Sequence, residues 1–292
     1  MTESDNSLSL DHFGAICRDL KAGAARWERL GFVLTPQTQQ MGLVPGGTVP
    51  EPWATANRCV MLERGYLELM GVTEPQRYNP LSHLAARYEG IHLLVLRCRD
   101  ADAFYRVLAQ RAVGMRPPVQ RMRRIRVDGK SSELRFRVIF SSDEHYPEGR
   151  FVVIEHQTSE SLWQRRFMQH PNGALALTAV AVVAADPESS AARVAALTGV
   201  AARQPGGGVF EFEPGGGGKI TVLHANAFAA HFPGQLPPAL PAFFGATVAF
   251  ADLAHARRLM ERNGFQVHES PHGPPWVAPP DTNGIVLCLE QA

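Results

Sequence analysis

Apolar and polar positions along the chain repeat in one order. Asp11–Asp19 (DHFGAICRD) is a short apolar run that ends in Arg-Asp. In Leu20–Leu30, Leu20, Ala24, Trp27 and Leu30 fall near one helical face, and Gly31-Phe32 closes that helix. Strand-like runs follow near Val33–Pro36, at Arg58–Leu62 and at Tyr66–Val72, with a turn at Glu63-Arg64-Gly65 between the last two. The same order returns at Gly90–Asp100, with a helix at Ala103–Arg111 and strands at Arg121–Val127, Glu133–Phe140 and Phe151–His156. A third copy runs from Ala174–Asp186 through Glu188–Leu197 to Val209–Glu213 and Lys219–Leu223. A fourth runs from Phe243–Asp252 through Leu253–Asn263 and Gly264-Phe265 to Ile285–Glu290. Each opening strand reaches an Asp just before its helix, and such a carboxylate can bond the free amides of the first turn. The copies lie roughly 70–85 residues apart, so four βαβββ units fill the chain. The pattern predicts an α+β fold. Residues 1–158 form a first domain, 159–174 a linker that breaks strand alternation, and 175–292 a second domain.

Composition narrows the function classes. The 292 residues are 45% hydrophobic and carry a net charge of only +1. That balance argues against a nucleic-acid binder, which shows a basic excess or stripe, and against a disordered chain. No apolar run reaches the roughly 18–20 residues of a membrane span. Met1–Asp5 is polar and acidic, unlike a secretory signal. Cys17, Cys59, Cys98 and Cys288 are far apart and form no CxxC, so they read as small apolar residues in a reducing cytoplasm.

The stretches LDHFGAICRDL (10–20), LGF (30–32), TANRCVML (55–62) and YLELMGV (66–72), with HPNGA (170–174), resemble the glyoxalase-like branch of the vicinal oxygen chelate superfamily. The likeness is specific over residues 10–175 and architectural beyond. It implies that βαβββ modules pair into open cups of the glyoxalase/bleomycin-resistance/dioxygenase type, two cups for four modules. Members often hold a divalent metal in the cup. Fold alone does not fix function.

Strand alternation indicates which residues reach a cup. His12, Gly14 and Ile16 share one face, and Tyr66, Glu68 and Met70 share another. His12 and Glu68 match the two ligand positions of the family's first half-site. The resemblance then calls for a second half-site near His92 and Glu155. Glu155 holds a similar place in its last strand. His92 is less regular: His12 stands seven residues before Asp19, but the seventh residue before Asp100 is Leu93. A slip of one residue reverses the face, so a bulge would be needed to bring His92 in. His156 is an alternative imidazole, on the side away from Glu155. An imidazole–carboxylate set suits Zn, Ni, Fe or Mn. Taken singly, His12 also reads as a hydrogen-bonded strand-end histidine, and Glu68 as the partner of an arginine, Arg58 or one of the Arg121–Arg137 group, which would leave the cup metal-free.

Arg121, Arg123, Arg135 and Arg137 lie on two successive strands. If they face the cup they form an anion site; otherwise they are a solvated sheet face. Arg124 and Arg126 take the opposite face of the first of these strands. Tyr66 and Asn57, beside Glu68, join the four arginines as candidates for substrate contact. The C-terminal half has Ala179 and Gly245 at the positions of His12, and in the last strands of its modules only Glu290 is a carboxylate, so it reads as a scaffold, a dimerisation surface or a degenerate cup. The Gly206–Gly208 and Gly215–Gly218 runs read as hairpin turns, and Phe232–Pro241 as a connector.

Two functions follow. One is a metal-dependent enzyme of lyase, isomerase or dioxygenase type acting on a small oxygenated or anionic substrate. Its metal would stabilise an oxyanion and Glu155 would serve as general base. The other is a metal-free protein that binds or sequesters a small molecule in the same cup. Neither needs an organic cofactor, a nucleic acid or a membrane. Both are consistent with a cytoplasmic protein and with a homodimer.

Overall fold

The computed structural model describes residues 7–127 and 130–292, with the side chains of residues 126, 127 and 130 left aside. The expectations for Met1–Asp5 and for the Arg126 side chain fall outside that description. The first module comprises β1 (Ser9–Ile16), α1 (Leu20–Arg29), β2 (Thr38–Gly42), β3 (Glu51–Met61) and β4 (Tyr66–Val72). A short helix α2 (Ser82–Ala85) leads to β5 (Gly90–Arg97), α3 (Ala101–Arg111), β6 (Val119–Val127), β7 (Lys130–Phe140) and β8 (Arg150–His156). After α4 (Ser159–Leu162) come β9 (Ala174–Ala184), α5 (Pro187–Thr198), β10 (Arg203–Gly206), β11 (Val209–Phe212) and β12 (Lys219–His224). Next are α6 (Ala225–His231), β13 (Ala242–Phe250), α7 (Leu253–Arg262), β14 (Val267–His268), β15 (Trp276–Val277) and β16 (Val286–Gln291).

All four strand-end aspartates cap their helices. Asp19, Asp100, Asp186 and Asp252 accept from the amides of Ala22, Ala103, Ser189 and His255. Two expectations shift. No strand forms at Val33–Pro36, where Pro36 lacks an amide donor; β2 starts at Thr38 instead. In the fourth module the second and third strands shrink to β14 and β15, because prolines crowd residues 271–280 and cannot donate to a ladder.

The strands form two eight-stranded sheets, ordered β2-β3-β4-β1-β5-β8-β7-β6 and β10-β11-β12-β9-β13-β16-β15-β14. Module one therefore pairs with module two, and three with four. The seams are the antiparallel pairs β1·β5 and β9·β13. Within a module the first and last strands run parallel.

One buried cluster unites both halves, from Phe13 and Trp27 to Phe250 and Leu287. Polar contacts cross it. Trp27 Nε1 donates to Asn283 Oδ1 at 3.1 Å, and Asn172 of HPNGA donates to the Leu30 carbonyl at 3.1 Å. His170 bonds at both ring nitrogens, to the Val33 amide and the Met61 carbonyl. Both glycine runs sit in hairpins. The second lies against the start of β1, where a Cβ on Gly218 would stand 2.3 Å from Leu10 Cβ; only glycine allows that approach. All four cysteines are buried free thiols. No helix of the described residues is long and apolar enough to cross a membrane.

Candidate functional site

β1 and β4 run side by side with His12 opposite Tyr66 and Gly14 opposite Glu68. Period-two alternation sends Phe13, Ala15, Leu67 and Leu69 into the shared core and leaves His12, Tyr66 and Glu68 on the concave face. The His12 and Tyr66 rings stack at 3.9 Å, and the Tyr66 hydroxyl lies 3.2 Å from His12 Nε2. Glu68 Oε2 is 4.0 Å from the same nitrogen. Asn57 Nδ2 donates to Glu68 Oε1. Glu68 is thus bonded by an amide, while Arg58 turns away to Glu28. Burial, with the charges of Asp11 and Glu68, holds the Tyr66 hydroxyl far above its ordinary pKa. The neighbouring Cys59 thiol is pushed up to about 12 by burial and by Glu68.

The centre of this face is a residue that alternation hides. The β1·β5 register shifts between Leu10 and His12, so Asp11 sits in a bulge and is fully buried. Its carboxylate accepts from His12 Nδ1 at 2.6 Å, Arg97 Nε at 2.7 Å and His156 Nε2 at 3.1 Å. Burial pulls its pKa up, but the hydrogen bonds and charges of His12 and His156 outweigh burial and hold it well below the usual carboxylate range. Bonding at Nδ1 fixes the His12 tautomer and directs Nε2, as base or ligand, towards Tyr66 and Glu68. Trp163 covers this end: Arg97 stacks on its ring at 4.6 Å and His156 meets it edge-on at 5.2 Å. Leu162, Phe167 and Met168 pack around Tyr66 and Met61. The stretch 159–174, read as a linker, therefore contributes a wall of the cup.

Two expected ligands are elsewhere. His92 is fully buried at the second register shift of the seam. It stacks on Tyr88 at 4.1 Å, and its Nε2 bonds the Tyr88 carbonyl. Glu155 points away from the cup and accepts from the Ala101 amide at the start of α3. The register explains Glu155 and identifies the counterpart of His12; a bulge does fall at His92, but its contacts are with Tyr88. His12 lies opposite Val95 and Gly14 opposite Leu93, so Leu93 is the counterpart of His12, as the seven-residue spacing to Asp100 indicates. β8 pairs with β5 as β4 does with β1, which makes Arg150 the counterpart of Tyr66 and Val152 that of Glu68. Gly65 and Gly149, both at positive φ, mark the same point before these strands. Counting three residues from each glycine yields Glu68 and Val152. That count also places His156 on the cup face, so His156 was legible in the sequence. Asp11 carried no such signal.

This arrangement does not fit a metal held by two half-sites. His12 and Glu68 supply one imidazole and one carboxylate, but the matching positions carry Leu93 and Val152, which ligate nothing. Among the described residues no group of three His, Cys, Asp or Glu side chains is placed to hold a metal ion.

The four arginines divide. On β6, Arg121 and Arg123 lie opposite Phe136 and Leu134 and face the cup. Arg121 is half-buried over Phe140, and burial lowers its pKa. Arg123 has a buried Nε without a hydrogen-bond partner. Arg135 and Arg137 are on the outer face, paired with Glu133 and with Asp102 of α3; they are not cup residues. The second cup has Ala179 and Gly245 opposite Lys219 and Val286. Phe228, Phe232, Phe244 and Trp276 fill it with a buried apolar cluster.

The family model for the glyoxalase-like domain matches residues 10–198. Curated proteins yield no match. A hypothetical protein from Staphylococcus aureus shares the fold at a TM-score of 0.67 and 11% identity, covering 98% of this chain and 100% of its own. A mutant 4-hydroxymandelate synthase from Streptomyces coelicolor aligns at 0.60 and 12%, over 97% and 92% of the two chains. A Mn(II)-bound glyoxalase from Novosphingobium aromaticivorans aligns at 0.55 and 10%, over 98% and 84%. At such identities the likeness is one of fold.

Proposed function

The chain belongs to the glyoxalase-like domain family of the vicinal oxygen chelate type, and we propose that its N-terminal cup is a metal-independent small-molecule site whose proton-handling group is His12. The observation that carries this reading is the apolar second half-site, Leu93 and Val152 opposite His12 and Glu68. Asp11 orients the His12 ring, as a buried carboxylate orients a catalytic imidazole, so that Nε2 can take a proton from a bound molecule and return it. Tyr66 is the hydroxyl already in contact with that nitrogen, and its raised pKa keeps it a donor at neutral pH. Asn57 fixes Glu68 beside them. Trp163, packed on Arg97 and His156, covers the Asp11 end.

A second reading rests on one feature. A histidine bonded through Nδ1 to a carboxylate is the usual support of a metal-ligating imidazole, and Glu68 lies 4.0 Å from His12 Nε2. A divalent metal would then be held by His12 and Glu68 alone and would supply Lewis-acid polarisation of a bound oxygen. Metal content decides between the two. Protein purified without a metal-affinity tag is expected to carry no stoichiometric Zn, Ni, Fe or Mn. Metal lost on His12→Ala or Glu68→Gln would overturn the first reading. In the same assay Glu290→Ala should change nothing, because its cup lacks an imidazole at both His12 positions. A Leu93→His, Val152→Glu double variant should gain metal by completing the set.

A further inference from the structure

Charged side chains on the strands lining the N-terminal cup are unevenly paired. Asp11 is matched by Arg97 at 2.7 Å. Arg150, at the α2 end of the same face, is matched by Asp143 at 3.0 Å. Glu68 has an amide partner in Asn57 but no guanidinium. Arg121 and Arg123 face inward from β6 without a carboxylate. Arg121 and Arg123 are thus two cations on one wall with no carboxylate at the positions opposite them on β7. A buried donor left without a partner costs free energy, and the buried Arg123 Nε is such a donor. The wall beside these arginines is apolar: Val95, Val138, Val152 and Ile154 form one buried cluster, with Phe136 and Phe140 packed against it.

The geometry points to a ligand with one anionic head and an apolar body: a small organic monocarboxylate, its carboxylate held by Arg121 and Arg123 and its body laid on the Val95–Ile154 wall. A guanidinium pair suits a planar carboxylate because its donors form a rigid fork. Glu68, on the opposite strand pair, rejects a second anionic group near His12, which sets the preference for one charge over two. The assignment rests on the small-molecule reading above, but not on whether that site uses metal.

The test uses the full chain in EDTA-containing buffer at fixed salt. The probes are acetate, hexanoate and phenylacetate, the neutral hexanamide and phenylacetamide, and inorganic phosphate. Calorimetry and thermal unfolding give the readouts. Hexanoate or phenylacetate should bind and raise the unfolding midpoint. Their amides should bind at least tenfold more weakly, and acetate and phosphate should follow the amides. Arg123→Gln and Arg121→Gln should each weaken acid binding at least tenfold. Without ligand, Arg123→Gln should raise the midpoint, because it removes the buried Nε donor that has no partner. The assignment is overturned if amides bind as well as acids, if neither arginine substitution changes the affinity, or if no acid up to 10 mM moves the midpoint. Acid binding that appears only when Zn or Mn replaces EDTA would instead overturn the metal-independent reading and leave the carboxylate assignment standing.

Discussion

Asp11→Ala is expected to destabilise the chain by about 3–5 kcal/mol, the range for removing one partner from a buried charge pair. Asp11 has no exposed surface and accepts from His12, Arg97 and His156. Its loss strands three donors in one place. Arg97 is partly exposed and can recover some hydration, which favours the lower part of the range. Asp11→Asn keeps the shape and one acceptor oxygen but turns an amide donor toward other donors; it should cost about 1–3 kcal/mol. Urea unfolding at neutral pH measures both. An Asp11→Ala protein within about 1 kcal/mol of wild type would show that the bulged carboxylate is not a stabilising hub. The sign of its pH dependence follows from its lowered pKa. Its contribution is complete above the unfolded carboxylate value of about 3.9 and is lost only as pH falls below it. Protonation of Asp11 itself should therefore add no slope between pH 5 and 8.

Stability should nevertheless fall across that interval, by about 2 kcal/mol from pH 7.5 to pH 5, because of His92. Burial lowers the His92 pKa from 6.5 to about 4, against the opposing bond to the Tyr88 carbonyl. The folded state therefore keeps His92 neutral while the unfolded chain takes up a proton below pH 6.5. The contribution is complete above the unfolded value and drains away as pH falls from 6.5 toward about 4. His170 is lowered by burial too and adds in the same direction. His92→Gln, which can still donate to Tyr88, should flatten most of the slope. An unchanged slope in that variant would assign the acid sensitivity to other groups.

These two residues show what a sequence conveys and what it withholds. His92 lies beside the position that the seven-residue spacing selects, and counting back from Asp100 already pointed to Leu93. The resemblance drew attention to an imidazole, while the strand register obeyed the spacing. Glu155 misled in a similar way. VVIEHQ and YLELMG look alike as strings, yet Glu155 stands six residues beyond Gly149, whereas Glu68 stands three beyond Gly65. Parity sent it to the helix side, where it bonds the first amide of α3.

The repeated strand–Asp–helix order was enough to determine four βαβββ modules, their helix caps, and the faces of His12, Tyr66 and Glu68. Each of these depends on neighbours within one turn or one strand, where a period of 3.6 or 2 is a local property. The pairing of module one with two, the bulge that turns Asp11 into the cup, and the division of Arg121 and Arg123 from Arg135 and Arg137 were decided by the tertiary structure. They depend on which strands meet and in what register. One residue of slip across a seam reverses every side chain beyond it, and that slip is set by packing between segments some eighty residues apart, as at His12 and Val95.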